Sequence, residues 1–465
     1  MFKIGGQRVP TRTLLLVFSD LWLVLFGLLL AVSFRFLYWS SIHSYLQQGN
    51  AFYRLGIAML ACELALYYHD LYDPEAIRRH TELLVRLLQA LGTACLALAI
   101  LYYLFPELSL GRGIAALAAP IIFLLLLGWR LLMERWGFLL WEPRRVLVLG
   151  TGPVGISFVR EILARPDLKI KVVGFLDENR ENIGKPLVNP GIIGAVADVQ
   201  EIAAREKIDC VILSLSERRG NTPVRQLLDL KFAGIAVEDA HSIWEEISGR
   251  IRVQHLSPSW LILSEGFRKP RLLVAAKRAV DFIAALVGLI VFSPIMLGAA
   301  IAVWLETGGP VLFRQERTGL HRVPFNILKF RSMHLDAEKH GPRWATAGDH
   351  RITRVGRVIR KLRFDELPQF INVLRGEMSL VGPRPERPVF CEMLEKEIPL
   401  YAQRYSVRPG ITGWAQVKYQ YGAGVEETRT KLEYDLFYIK HMSILLDMAI
   451  LFETAKVLLS GRGAK

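Results

Sequence analysis

Cysteine is scarce in this sequence and is not arranged in motifs. The four cysteines lie far apart, with no C-x-x-C spacing, at Cys62, Cys95, Cys210 and Cys391. This excludes a disulfide-stapled scaffold and a cysteine-rich zinc module, and it is typical of a reducing compartment. The chain contains no Tyr-x-x-x-Lys pair, and residues 306–465 contain no His-x-x-x-His, P-loop lysine or G-x-S-x-G motif. Short-chain redox catalysis, zinc proteolysis, P-loop hydrolysis and serine-hydrolase chemistry therefore have no support.

Apolar and basic residues, in contrast, are abundant. Of the 465 residues, 52% are hydrophobic, the net charge is +14 and the mean hydropathy is +0.29. A soluble globular protein is about 45–50% apolar. We therefore expect a membrane protein with an anionic partner, which could be lipid head groups, nucleotides or nucleic acid.

Four long apolar stretches predict a transmembrane module over residues 1–142. They run over Leu14–Phe36, Ala51–Tyr72, Leu83–Phe105 and Gly113–Trp141. Each is long enough to cross a bilayer, which takes about 20 residues, although Glu63 weakens the second. Four buried core helices would need a large partner domain to cover them. Lys and Arg cluster before the first stretch, after the second and after the fourth, which predicts that both ends of the module face the cytoplasm.

Residues 143–262 predict a Rossmann-like domain with a parallel α/β sheet. Gly150, Gly152 and Gly155 form a G-x-G-x-x-G motif between a short β run and a helix. In that context the glycines let backbone N–H groups approach a pyrophosphate, and Asp177, at the end of the next β run, is a candidate ribose ligand. Two interpretations stay open. The domain binds a dinucleotide, or it keeps the turn for packing and serves regulation or assembly.

A fifth apolar segment, Ala279–Leu305, is interrupted by Ser293 and Pro294. Proline removes a helical hydrogen bond, and in lipid the freed backbone group needs a partner, which Ser293 could supply. A kinked span would place the rest of the chain outside the cell, whereas a re-entrant helix-break-helix would return it to the cytoplasm. Basic residues on both sides and Asp281 near the start favour the re-entrant form. We therefore expect residues 263–305 to be a linker and a re-entrant membrane helix.

The candidate chemistry lies at Asp365 and Glu366. On a structural interpretation, Asp365 is a helix N-cap, Glu366 a first-turn acid and Pro368 a helix starter. On a functional interpretation, the two carboxylates lie near Arg360 and Arg384, which suits Mg²⁺ and phosphate oxygens. A carboxylate can also attack phosphorus to form an acyl phosphate.

Further basic residues predict anion sites around this pair. Lys329 and Arg331 share one face of a short strand, while Arg384 and Arg408 lie in rigid GPRP and RPGITGW turns. Loops that hold an arginine beside glycine backbone are suited to anions. Arg360 ends a run with an arginine at every third position, interleaved with apolar residues, which predicts a helix at a membrane surface. A solvated charged face is the alternative for that run.

Together these residues resemble a known family, the bacterial polyprenyl-phosphate sugar-1-phosphate transferases, or monotopic phosphoglycosyl transferases. The resemblance covers about residues 272–465. The matching pieces, in the family's order, are KRAVDFIAALVGLIVFSPIML, GGPVLFRQERTGLHRVPFNILKFRSM, RFDELPQFINVLRGEMSLVGPRPERP, RPGITGWAQV and KLEYDLFYIKHMSILLDMAIL. The modules before them resemble those of the long, exopolysaccharide-initiating members.

The resemblance implies a membrane α plus α/β protein whose catalytic domain covers residues 306–465. It implies transfer of a sugar 1-phosphate from a UDP-sugar to undecaprenyl phosphate, with release of UMP. In this family Asp365 matches the nucleophile and a ligand of Mg²⁺, for which Mn²⁺ could substitute, and Glu366 completes the acidic pair. Arg360 matches the arginine placed for the lipid phosphate. Substrate-binding positions are matched by Lys329, Arg331, Arg384, Arg408 and Asp435.

The same resemblance implies a homodimer in the bacterial inner membrane, with the catalytic domain on the cytoplasmic face and no nucleic-acid partner. It does not identify the sugar. Two departures from the family's motifs are Phe364 in place of Leu, and His441-Met442 in place of an Asn-aromatic pair. One alternative, a membrane-anchored sugar-nucleotide dehydratase or epimerase, lacks its second glycine fingerprint and its Tyr-x-x-x-Lys pair. The other, a non-catalytic scaffold, predicts that Asp365 is dispensable.

Overall fold

A computed structural model describes most of the chain. The described residues are 2–4, 6–9, 11–36, 43, 50–73, 80–140, 143–214, 223–253, 264–335, 337, 349, 351–419 and 424–459. The chain divides into two compact units: residues 1–2 with 8–240, and residues 3–7 with 241–465.

The first unit begins with long apolar helices that confirm the four predicted stretches to within a few residues. Two short strands whose residues are divided between the two units, β1 (Phe2–Ile4) and β2 (Gln7–Val9), come before the helices. The helices are α1 (Thr11–Phe36), α2 (Ala51–Tyr68), α3 (His80–Leu104) and α4 (Arg112–Leu140). Within the described residues, these four and one later helix are long and apolar enough to cross a membrane. α1 packs against α4 and α2 against α3 around a leucine-rich core.

Polar side chains inside this helical module pair with one another. Arg130 of α4 forms an ion pair with the fully buried Asp20 of α1, and its Nη1 donates to the carbonyl of Leu71 at 2.6 Å. Glu63, the residue that weakened the second stretch, accepts a hydrogen bond from the hydroxyl of Tyr72 at 2.6 Å. Polar groups in an apolar environment need such partners, which explains why α2 accommodates its glutamate.

The rest of the first unit is a parallel sheet, as the alternation of β and helical runs predicted. Its strands are β3 (Arg144–Leu149), β4 (Ile170–Asp177), β5 (Ile192–Ala195), β6 (Cys210–Leu213) and β7 (Ala236–Asp239), with helices α5 (Pro153–Ala164), α6 (Val199–Arg205) and α7 (Val224–Phe232). The order β5-β4-β3-β6-β7, all parallel, is the Rossmann order. The short strand β5 was not foreseen.

The second unit carries the basic region. Its helices are α8 (Ala240–Ser248), α9 (Arg271–Thr307), α10 (Arg354–Lys361), α11 (Gln369–Arg375), α12 (Pro388–Glu397), α13 (Trp414–Lys418), α14 (Val425–His441) and α15 (Ile444–Leu459). Its strands are β8 (Leu312–Thr318), β9 (Pro324–Phe330), β10 (Ser379–Val381) and β11 (Gly410–Thr412). β8 and β9 pair antiparallel, and β10 and β11 pair in parallel. Buried apolar residues of α14 and α15 form the centre of its core.

The apolar segment with the predicted break forms one helix, α9, that continues through Pro294. Pro294 cannot donate to the carbonyl four residues earlier, which belongs to Ile290. The hydroxyl of Ser293 donates to that carbonyl at 2.7 Å instead. Ser293 thus supplies the partner that the sequence predicted. The prediction of two helices separated by a break is corrected to one helix with an internal proline.

Candidate active site

Asp365 and Glu366 lie on a short 3₁₀ turn, Phe364–Glu366, between α10 and α11. Arg363 precedes the turn in the left-handed conformation, with φ at 59°, which reverses the chain after α10. The N-cap of α11 is Pro368, and it makes no side-chain capping bond. The structural interpretation of Asp365 as an N-cap is therefore wrong, because Asp365 lies within the 3₁₀ turn that precedes the helix.

Glu366 is held by the basic side chains that the sequence singled out. Its Oε1 accepts from Arg384 Nη2 at 2.8 Å and from Lys329 Nζ at 3.1 Å, and Arg363 Nη1 lies 4.0 Å away. Burial raises the pKa of Glu366, but Arg384 and Lys329 outweigh burial and hold the pKa well below its ordinary value. Glu366 is therefore a fixed anion that binds two cations.

Asp365 has a different environment. Its side chain is buried, with 7% of the residue exposed, and Oδ1 has no hydrogen-bond partner in the described part of the chain. Burial and the neighbouring Glu366 raise its pKa, and Lys329, Arg360 and Arg384 oppose that rise. A buried carboxylate oxygen without a partner is costly unless it serves a ligand or a reaction. Asp365 is therefore the reactive candidate of the pair.

Lys329 reaches Glu366 because β9 is fixed against α11. Phe313 of β8 pairs with Lys329 in the antiparallel ladder. The fully buried Asn372 of α11 accepts from the backbone of Leu328 at 3.0 Å and donates to the carbonyl of Asn326 at 2.8 Å. One side-chain amide thus binds the backbone on both sides of Ile327, two residues before Lys329, which limits the movement of that strand relative to the acidic pair.

The loop that carries Arg384 is held at three successive carbonyls. Arg404 Nη2 donates to the carbonyl of Arg384 at 2.9 Å, and Arg317 Nη1 donates to that of Pro385 at 3.1 Å. The backbone N–H of Thr318 donates to the carbonyl of Glu386 at 3.0 Å. Burial lowers the pKa of Arg317 to about 10, so it stays charged at neutral pH. Sequence reasoning missed Arg317 and Arg404, since neither lies in a turn or a pattern that indicates a role.

Asp435, predicted to bind substrate, is paired with Arg404 in the structure. Asp435 is 2% exposed, and its Oδ2 accepts from Arg404 Nε at 2.8 Å. Arg404 Nη1 also donates to the hydroxyl of Tyr401 at 2.6 Å. The carboxylate of Asp435 therefore orients Arg404, which in turn holds the backbone of Arg384.

The remaining predicted basic residues differ in their surroundings. Arg331 follows β9 and is buried, and its Nη1 has no hydrogen-bond partner among the described residues. Arg408 Nε donates to the carbonyl of Gly376 at 3.0 Å, which caps the end of α11. Arg360, near the end of α10, is half-buried and acts on Asp365 electrostatically. The site thus brings Lys329, Arg360 and Arg384 together around the acidic pair.

In the first unit, the structure joins the glycine motif to Asp177. Gly150 has a φ of 104°, and a Cβ on Gly155 would lie 2.3 Å from Ser214 Oγ, so both positions require glycine. The carboxylate of Asp177 accepts from the hydroxyl of Thr151, from the backbone N–H of Asn179 at 2.8 Å and from Asn182 Nδ2 at 3.1 Å. Asp177 therefore stabilises the glycine turn through hydrogen bonds. Nucleotide binding by this turn stays a prediction.

Comparison with protein-family models matches each unit. Residues 272–461 match the bacterial sugar transferase model, and residues 68–230 match a model described as a CoA-binding domain. The first match contains α9, Lys329, Asp365, Glu366 and Arg384, and the second contains the whole glycine turn.

Three of the curated relatives are named as enzymes that transfer a sugar phosphate to undecaprenyl phosphate. A UDP-N-acetylgalactosamine-undecaprenyl-phosphate N-acetylgalactosaminephosphotransferase of Aeromonas hydrophila is 47% identical over 242 residues, which are 52% of this chain and 56% of that protein. A UDP-glucose:undecaprenyl-phosphate glucose-1-phosphate transferase of Caulobacter vibrioides is 44% identical over 44% of this chain and 78% of that protein. A protein of that name from Escherichia coli is 34% identical over 68% of this chain and 67% of that protein.

The chain thus spans only about half of the Aeromonas relative but two thirds or more of the other two. The family resemblance drawn from the residues around Asp365 is confirmed. The chain belongs to the bacterial sugar transferase family.

Proposed function

We propose that this protein transfers a sugar 1-phosphate from a UDP-sugar to undecaprenyl phosphate, with Asp365 as the nucleophile. The observation that carries the proposal is the buried carboxylate of Asp365, whose Oδ1 has no partner among the described residues, beside a Glu366 that is bound by two cations. The names of the relatives supply the two substrates. Such a transferase would start the assembly of a lipid-linked glycan, as in exopolysaccharide, capsule or O-antigen synthesis.

The reaction proceeds in two displacements at one phosphorus atom. An oxygen of Asp365 attacks the sugar-bearing phosphorus of the UDP-sugar, and the bond from that phosphorus to the bridging oxygen breaks. UMP leaves with that oxygen, and the sugar phosphate stays on Asp365 as an acyl phosphate. A phosphate oxygen of undecaprenyl phosphate then attacks the same phosphorus. The bond between phosphorus and the Asp365 oxygen breaks, undecaprenyl-diphosphate-sugar forms and Asp365 is regenerated as a carboxylate.

The basic residues stabilise the negative charge that both displacements carry. Lys329, Arg360 and Arg384 lie around Asp365. Glu366 holds Lys329 and Arg384 in place before substrate binds, so these two charges need little reorganisation during the reaction. Glu366 keeps Lys329 and Arg384 in position and offsets part of their charge while the site is without substrate. The two anionic substrates use the site in turn, so their charges never have to be accommodated together.

The residues present fit a divalent cation. Mg²⁺ usually binds through one or two carboxylates together with substrate phosphates. Oδ1 of Asp365 is buried and without a partner in the described part of the chain, so it is free to act as such a ligand. Within the described residues, no group of three His, Cys, Asp or Glu side chains converges as a metal site. Asp365 would therefore hold Mg²⁺, or Mn²⁺ in its place, jointly with the substrate's pyrophosphate, and the cation would withdraw charge from the phosphate oxygens.

We also propose that α9 enters and leaves the membrane on the cytoplasmic face. Near its start, Asp281 accepts from Ser379 Oγ at 2.7 Å and from the backbone of Leu380 at 3.2 Å. Near its end, Glu306 accepts from the backbone N–H groups of Arg354 and Val355. Both ends of α9 therefore bind the same folded unit, which a straight span across the bilayer would prevent. Between those ends, large apolar side chains are exposed, as expected for insertion into one leaflet.

The proposal is tested by trapping the acyl phosphate. Purified full-length protein in nanodiscs is mixed with Mg²⁺ and either UDP-glucose or UDP-N-acetylgalactosamine, because the relatives' names carry both sugars. Undecaprenyl phosphate is left out, so the intermediate accumulates. Intact and peptide mass spectrometry should find a phosphosugar on Asp365 with one of the donors. Asp365→Asn should form none and should lose at least about 10⁴-fold in turnover.

The controls separate the nucleophile from the rest of the site. Glu397→Gln replaces an exposed acid of the same unit and should form the adduct at the normal rate. Turnover that persists in Asp365→Asn would exclude Asp365 as the nucleophile. A wild-type protein that neither forms an adduct nor releases UMP with a panel of UDP-sugars and lipid would favour the scaffold alternative.

A further inference from the structure

The chain leaves the parallel sheet after β7 through residues 241–253, which we call the clasp. The clasp belongs to the second unit and comprises all but the first residue of α8 and the five residues after it. Glu433 of α14 holds it at three points. The backbone N–H of Ile251 donates to the carbonyl of Glu433 at 2.9 Å, that of Val253 donates to its Oε1 at 3.1 Å, and Arg250 Nη1 lies 3.5 Å from its Oε2.

A second attachment joins the clasp to the end of α14. Glu245 is 3% exposed, and its two carboxylate oxygens contact Lys440 Nζ at 2.8 Å and His441 Nε2 at 2.6 Å. The ring of His441 packs on Phe437, with 4.5 Å between the ring centroids. His441 is also one of the positions at which this sequence departs from the family's motif. The departure therefore provides a contact to the clasp.

A third attachment and apolar packing complete the clasp. Trp414 Nε1 donates to the carbonyl of Gly249 at 2.7 Å, and the ring of Trp414 stacks on Phe437. Ile251 and Val253 are buried in the same core cluster as those two rings. Residues 241–253 are therefore an integral layer of the catalytic unit, although they lie outside the segment that matches the sugar transferase model.

The opposite side of α14 faces the active site. Successive residues of an α-helix are about 100° apart, so Glu433 and Asp435 project about 200° apart, to opposite faces of the helix. Glu433 holds the clasp, whereas Asp435 binds Arg404 at 2.8 Å. Arg404 then donates to the carbonyl of Arg384, whose guanidinium binds Glu366 at 2.8 Å. Four consecutive contacts thus connect the clasp to the acidic pair.

We propose that the clasp positions α14 and, through Asp435 and Arg404, sets the place of Arg384 beside Asp365. Glu433 and Glu245 are positioning residues for the transfer reaction, and neither contacts the reacting atoms. The kinetic part of this inference rests on the proposed function. The clasp thus controls the rate of the chemical step without contacting the substrate.

Substitutions at Glu433 test the proposal in full-length protein. Glu433→Ala removes the contacts to Val253 and Arg250, whereas Glu433→Gln keeps an acceptor for Val253. Glu426→Ala is the matched control, because Glu426 lies on the same helix, its side chain is 72% exposed and it forms a surface ion pair with Arg429. The readouts are kcat and KM for the UDP-sugar and hydrogen exchange over residues 382–406.

Displacement of Arg384 should lower kcat by about 10-fold or more in Glu433→Ala, since small misplacements of catalytic groups cost up to about 10²-fold. KM should change less than kcat, and hydrogen exchange should rise in the 3₁₀ helix Tyr401–Ser406. Glu433→Gln should recover most of the loss, and Glu426→Ala should match the wild type.

A purely structural role gives a different result. It predicts a lower unfolding temperature for Glu433→Ala, with wild-type kcat and wild-type exchange over residues 382–406 at low temperature, and that outcome would overturn the proposal. If Glu433→Ala does not fold, Glu245→Gln and His441→Asn, which weaken the second attachment, replace it. If the wild type forms no adduct, the proposed function fails, but the exchange measurement still decides whether the clasp controls the Arg384 loop.

Discussion

Asp365 and Glu366 are neighbours in the chain, yet their carboxyl groups meet opposite surroundings. Glu366 Oε1 accepts from both Lys329 and Arg384, whereas Asp365 Oδ1 is buried with no partner among the described residues. The pKa of Glu366 is held low by its two cations, and the pKa of Asp365 is raised by burial and by Glu366. Two acids whose pKa values are driven apart take different roles. In the proposed reaction, Glu366 organises the cations and Asp365 supplies the nucleophilic oxygen.

This division predicts the pH dependence of the first chemical step. In the proposed reaction only the unprotonated carboxylate of Asp365 can attack phosphorus, and burial and Glu366 raise its pKa above the ordinary aspartate value of 3.8. The rate constant for adduct formation should therefore fall as the pH decreases, and the midpoint of that fall should lie above the pKa of an ordinary aspartate. Single-turnover measurement of UMP release between pH 4 and 8 checks it. An acid limb centred at or below 3.8 would contradict the assignment.

Neighbouring charges should move that acid limb in opposite directions. Glu366→Gln removes a negative charge that raises the pKa of Asp365, so the limb should shift to lower pH. Arg360→Gln removes a positive charge that lowers the pKa, so the limb should shift to higher pH. Both variants should also be slower, because each alters the charges around the phosphate. The pH profiles of the two variants are the measurement, and shifts of the same sign would exclude electrostatic control of Asp365.

Asp435→Asn should reduce kcat rather than binding. Asp435 is paired with Arg404, and that pair supports the backbone of Arg384. Breaking a buried ion pair by removing one charge costs about 3–5 kcal/mol of folding stability. We therefore expect a lower unfolding temperature and a lower kcat, with the KM for the UDP-sugar nearly unchanged. A large rise in KM with wild-type kcat would support the substrate-binding role predicted from the sequence instead. Glu397→Gln, at an exposed position, is the control.

The features that were predictable from the sequence have local signals. Apolar runs predicted α1 to α4, glycine spacing predicted the turn after β3, and the proximity of Ser293 to Pro294 predicted the hydrogen bond inside α9. Arg404 had no such signal, because its role depends on Asp435, 31 residues further along the chain. Contacts of that kind are decided by tertiary packing. The continuation of α9 through Pro294 was missed for a similar reason, since one side-chain hydroxyl replaces the lost backbone donor.

Gly410→Ala should destabilise the catalytic unit. A Cβ on Gly410, at the start of β11, would lie 2.1 Å from the backbone nitrogen of Gly382, the residue after β10, and 2.3 Å from the carbonyl oxygen of Thr412 in its own strand. Backbone atoms in a paired strand cannot move aside cheaply, so we expect a loss of about 2–3 kcal/mol and a lower yield of folded protein. Gly298→Ala, in α9, meets no atom within 4 Å and should keep wild-type stability. Thermal unfolding of both variants in detergent is the measurement, and equal midpoints would contradict the prediction.

Asp177→Ala should weaken the parallel-sheet domain without affecting the transfer reaction. Asp177 accepts hydrogen bonds from Thr151, Asn179 and Asn182, so its loss leaves three donors without their acceptor at the glycine turn. We expect a destabilisation of about 1–3 kcal/mol, with the rate of adduct formation on Asp365 unchanged. The measurement is thermal unfolding with and without added NAD or CoA, and Glu201→Ala, at an exposed position of α6, is the control. If Asp177→Ala kept full stability but lost a stabilisation that a nucleotide gives the wild type, Asp177 would be a ligand-binding residue and the dinucleotide interpretation of the turn would hold.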